Sequence, residues 1–155
     1  METYLALKSL HILGVVLFVG NIVVTGWWKV QADRTRHPAV VAFAQRQVTL
    51  TDWLFTFGGS SLVVVSAYAL AFLHGLPLAA TWLVWGQALF FASGLLWVAI
   101  LIPLQIRLAR LARGFAGGGP IPAEYWRLNR VWLWVGLVAT VLPAANLYLM
   151  VFKPV

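Results

Sequence analysis

The chain contains no cysteine, only two methionines, three histidines and four acidic residues among 155 positions. Without cysteine there is no disulfide, no thiolate metal site and no thiolate nucleophile. Two methionines, Met1 and Met150, supply a copper pathway poorly. The few acids and histidines form no HExxH helix, no nucleophile elbow and no paired-carboxylate site. Gly117, Gly118 and Gly119 lack the lysine and the helix context of a phosphate loop, so they read as a hinge. Charged residues make up only 10% of the chain, against about 25% in soluble domains. Such a composition cannot clothe a water-soluble surface.

What is present is apolar, with 62% hydrophobic residues and a mean hydropathy of +0.88. A run of about 20 apolar residues crosses the hydrocarbon core. Four such runs fit, at residues 5–28, 48–73, 79–103 and 131–152. The fold class expected is all-α, a four-helix transmembrane bundle forming one membrane domain over 1–155. The first run is longer than a signal-peptide core and ends at TGWWKVQAD without a small-residue cleavage site, so it reads as a retained span.

The net charge of +7 is lopsided. Lys29, Arg34, Arg36 and Arg46 lie between spans one and two, and Arg107, Arg110, Arg113, Arg127 and Arg130 between three and four. Lys8 and Lys153 alone mark the other side. The positive-inside rule makes the basic loops cytoplasmic and both termini external. The expected setting is a multi-pass protein of a bacterial cytoplasmic (inner) membrane. Its partners are the lipid bilayer and, through its tryptophan-rich faces, further copies or other membrane subunits. Nucleic acid is a poor explanation for charge placed in this way.

The polar residues within the spans are ordered. His11, Gly14, Phe18, Asn21, Thr25 and Trp28 recur at steps of three and four, which holds them within roughly 100° of a helix surface. Thr49, Asp52, Thr56, Gly59, Val63 and Ser66 do the same in the second span. Gln87 and Gly94 mark the third, and Asn129, Gly136, Pro143 and Asn146 the fourth. Polar groups inside apolar spans are costly against lipid, so these stripes face protein or a ligand. Asp52 is the acid of the spans, and an ion pair with Arg130, Arg127 or Lys29 is expected. Asn21, Asp52 and Arg130 then form a structural or proton-relay layer. Pro38 suits a helix first turn, Pro143 should free a backbone carbonyl, and LQIRLARLARGF reads as a basic amphipathic segment on the membrane surface.

Counting inward at about 1.5 Å per residue puts His11, Ser66, Gln87 and Asn146 at one depth, roughly 10 Å below the terminal side. Two readings fit this level. Either the groups hydrogen-bond between helices, giving a non-catalytic scaffold or accessory subunit, or they line a cofactor pocket. In the second, His11 is the axial metal ligand of a haem, with Gly14 and Gly59 leaving room for the macrocycle. A small transporter is a third reading, requiring a polar path from Asp52 to the outer level.

The segments LKSLHILGVVLFVGNIVVTGWW, FAQRQVTLTDWLFTFGGSSLVVVSAYAL and RLNRVWLWVGLVATVLPAANLYLMVFKP resemble an uncharacterised family of predicted bacterial four-span membrane proteins. More distantly, the LKxLH start and the closing R-x-N-R…KP are similar to HemJ-type protoporphyrinogen oxidases, and the layout to CopD-type membrane proteins. The HemJ resemblance implies a redox protein with haem b in the bundle and His11 as its ligand. The chain departs from it at TWLVWGQAL, where HemJ-like proteins carry a histidine and a lysine and this chain offers Gln87.

Overall fold

A computed structural model describes residues 1–154. Four helices account for nearly all of it: α1 (Glu2–Thr35), α2 (Pro38–His74), α3 (Thr81–Phe115) and α4 (Ala123–Phe152). No strand occurs among the described residues, and each helix contains a window apolar enough to span a bilayer. Pro38 opens α2 at its first turn, where its missing N–H costs nothing. The chain leaves α2 through Gly75, whose φ of 65° caps the helix in the left-handed region.

The helices outrun the bilayer. The 34 residues of α1 extend about 50 Å, against a hydrocarbon thickness of about 30 Å. The surplus lies at the basic end. There Val41 and Val48 of α2, Leu108, Ala112 and Phe115 of α3, and Tyr125 and Trp132 of α4 form the buried core. The segment expected on the membrane surface is instead the unbroken continuation of α3, beginning at Ile102. A surface helix and a helix packed on protein share one amphipathic pattern. Here the apolar face meets the extension of α2, and Arg107 and Arg110 point outward.

Toward the termini the architecture changes. No Cα of Thr81–Leu96 comes within 8 Å of α1 or of the Gly58–His74 part of α2. The α1–α2 and α3–α4 hairpins are therefore packed together at the basic end, separated in the middle, and tied again by residues 75–80. Phe18 meets Phe90 across the gap at 5.9 Å between ring centroids, and the Tyr68 hydroxyl donates to Gln87 Oε1 at 2.8 Å. Within the first hairpin, Gly14 and Gly59 let the backbones touch. A Cβ on Gly14 would lie 2.9 Å from the Gly59 carbonyl oxygen.

Two π-helical turns interrupt the regular winding, Asp52–Phe57 in α2 and Trp97–Leu101 in α3. Each adds a residue to one turn and re-aims the side chains beyond it, a distortion common at functional sites. They face each other, with Trp53 and Phe57 both packed on Trp97.

Candidate functional site

Asp52 begins the π turn of α2 and is 8% exposed. An ionised carboxylate has only acceptors, and every neighbour within hydrogen-bonding distance donates to it. Asn21 Nδ2 donates to Oδ1 at 3.2 Å and Thr56 Oγ1 to the same oxygen at 2.9 Å. Gln105 Nε2 donates to Oδ2. The chain of donors extends outward, since Thr25 Oγ1 donates to Asn21 Oδ1 at 3.0 Å. Three helices thus direct neutral dipoles at one carboxylate.

The expected ion pair is absent. Among the described residues, the one salt bridge joins Lys29 to Asp33 at 2.6 Å. Lys29 is fully buried and also donates to Tyr125 Oη at 3.1 Å and Asn129 Oδ1 at 3.0 Å. Its partner stands one helical turn away on α1, which a lysine reaches without crossing the bundle. Asn129 completes that second network by donating to Asp33 Oδ2 at 2.9 Å. Arg130, one residue on and so rotated about 100°, is exposed away from Asp52.

A cavity of about 900 Å³ adjoins Asp52 and is lined by all four helices. Thr56, Ser93, Gln105 and Thr140 give it isolated polar points, while Phe18, Phe90, Trp97, Leu101 and Trp132 make the walls. Trp97 lies beside the Asp52 carboxylate. The Nε1 of Trp132 is buried without a hydrogen-bond partner. The rim is formed by residues such as Trp27, Phe91, Leu95 and Leu137, all exposed on the flank of the bundle.

The outer polar level resolves into two pairs. His11 Nδ1 lies 3.2 Å from both the Val63 carbonyl oxygen and Ser66 Oγ, joining α1 to α2. Asn146 Nδ2 donates to the Gly86 carbonyl at 3.1 Å, joining α4 to α3. Gln87 meets Tyr68 and not the histidine. Ser93, which sequence reasoning passed over, donates to the Ala139 carbonyl at 2.7 Å. That carbonyl is the one Pro143 leaves without its helical N–H donor.

His11 suits metal ligation at one atom: with Nδ1–H on the Val63 carbonyl, Nε2 presents a free lone pair. The space expected for a macrocycle is not where the sequence put it. Gly14 and Gly59 close the helix crossing, and the large cavity reaches no further along α1 than Phe18, about 10 Å short of His11. Among the described residues no cluster of three or more His, Asp or Glu could hold a metal ion.

The fold and this site define a polytopic four-helix membrane protein with a cavity between its hairpins. The chain belongs to the family described as predicted integral membrane protein DUF2269, matched over residues 5–154. No curated protein and no solved structure matches it.

Proposed function

We propose that the protein binds a lipophilic cation in the cavity between its hairpins, with Asp52 as counter-charge, in a bacterial cytoplasmic membrane. The observation that carries this is the Asp52 carboxylate, served by three neutral donors and no basic residue, on the wall of a 900 Å³ apolar cavity. Neutral dipoles hold a carboxylate in place but leave its charge uncompensated, and a charge inside a membrane domain marks function by default. A cation with an apolar shell satisfies both halves of the site. The indole N–H of Trp132, buried without a partner, adds a donor for a polar substituent.

The test uses tetraphenylphosphonium and the isosteric anion tetraphenylborate as probes of protein in lipid nanodiscs. Wild type should bind the phosphonium at least tenfold more tightly than Asp52→Asn does, with tetraphenylborate unchanged. Equal phosphonium binding by both proteins would sink the proposal. The helical content of Asp52→Asn is checked by circular dichroism.

A second reading rests on the His11 tautomer, which leaves Nε2 competent to ligate iron. Under it the protein is a haem-b redox protein of the HemJ-like group, with the macrocycle outside the Gly14–Gly59 crossing. A Soret band present in the purified protein and lost in His11→Ala supports it. A protein that stays colourless after haem is supplied refutes it.

A further inference from the structure

A second cavity, of about 650 Å³, lies at the basic end between α1 and α4. Arg34, Arg36 and Arg130 stand around it, with Trp126 on one wall and Val30 and Leu133 on the membrane-ward side. Its one carboxylate, Asp33, is already taken by Lys29 and Asn129. Arg34 reaches only the amide oxygen of Gln31, at 3.3 Å. Among the described residues no salt bridge involves any of the three arginines, so three like charges share one mouth without neutralisation. Arg36 is also held at φ 51°, ψ 13°, ending α1 through its N–H on the Asp33 carbonyl. A non-glycine residue rarely adopts that conformation, and here it sets the direction in which the third arginine leaves the backbone.

The order of chemistry along the pocket is informative. Charge occupies the cytoplasmic part, from Arg36 and Arg34 on α1 to Arg130 on α4. The aromatic Trp126, of a type that settles at headgroup level, stands one helical turn outside Arg130. The aliphatic Val30 comes last, six residues or about 9 Å nearer the membrane centre than Arg36. Val30 and Leu133 also line the large apolar cavity, so the two spaces adjoin. A phospholipid likewise passes from phosphate to methylene, and planar guanidinium forks match phosphate oxygens two at a time.

We infer that this pocket is a binding site for one anionic phospholipid, its phosphate held by Arg34, Arg36 and Arg130, its headgroup flanked by Trp126 and its first methylenes by Val30 and Leu133. The site does not depend on what occupies the cavity beside Asp52.

The experiment is native mass spectrometry of the delipidated full chain with dioleoyl phosphatidylglycerol, dioleoyl phosphatidylcholine or inorganic phosphate. One phosphatidylglycerol should be retained, with at least tenfold preference over phosphatidylcholine. The pair Arg36→Gln with Arg130→Gln should lose that preference. The pair Arg107→Gln with Arg110→Gln, which removes the same charge from the exposed face of α3, should keep it within twofold. Equal loss in both pairs would show a diffuse field and no site. Equal binding of the two lipids, or equal retention of inorganic phosphate, would likewise overturn the lipid assignment. Phosphonium binding in the Arg36→Gln, Arg130→Gln protein keeps the two proposals separable.

Discussion

Ser93 shows how a single residue repairs a backbone defect. Pro143 deprives the Ala139 carbonyl of its helical partner, and the Ser93 hydroxyl fills the vacancy from α3. Ser93→Ala should therefore cost about 1 kcal/mol. In Pro143→Ala, where position 143 regains an N–H, the same serine substitution should cost markedly less. A double-mutant cycle by denaturant titration in detergent reads that coupling, and additive effects would contradict it. The freed carbonyl was legible from Pro143, but its donor was not, because nothing local to Ser93 says which helix it faces. Gln105 escaped notice for a different reason. It sits among arginines, where a polar residue passes for part of the wet face. Its spacing, four after Leu101 and three before Leu108, puts it on the buried stripe. For Lys29 the signal was Asp33 one turn on, an i,i+4 pair that keeps a lysine inside.

Between elements, the α1–α2 seam depends on two glycines. Gly14→Ala drives a methyl to 2.9 Å from the Gly59 oxygen and 3.0 Å from the Val63 backbone nitrogen. Backbone atoms cannot turn aside as a side chain can, so the helices must separate, at a cost of about 1–3 kcal/mol. Gly20→Ala meets nothing within 4 Å and should be neutral or slightly stabilising, since alanine suits a helix better. Thermal unfolding of the two variants side by side decides the point. The stripe His11, Gly14, Phe18, Asn21, Thr25 was readable because a helix has one period, and Gly14, Phe18 and Thr25 are indeed buried. The π turns were not, because in spans apolar on nearly every side the phase shift made by one extra residue does not show. They are also what seats Asp52 and Trp97 beside one another, so the site was less visible than the helices that frame it.

For the whole molecule, four spans were evident from composition, whereas the placement of the core at one end was not. That concentration follows from helices longer than the bilayer, whose surplus turns must bury apolar faces against protein and not lipid. The Lys29–Asp33–Tyr125–Asn129 network lies in this part, and removing one partner strands a buried charge. Lys29→Met should destabilise the fold by about 3–5 kcal/mol, measured by the same unfolding assay. Sidedness is testable because the native chain has no thiol. A membrane-impermeant maleimide added to intact cells should label Ala79→Cys, and should label Ala116→Cys only after permeabilisation. The reverse pattern would invert the topology.

The cavity between the hairpins is bounded at one end by a covalent turn and at the other by the packed core, and its rim is exposed on the flank of the bundle. Its mouth thus opens sideways, into the acyl-chain region. A molecule reaching Asp52 must first dissolve in the bilayer, so the quantity that governs occupancy is its mole fraction in lipid. Adding protein-free vesicles at constant total probe should weaken the apparent affinity expressed in aqueous concentration. The same data plotted against probe per lipid should fall on a single curve.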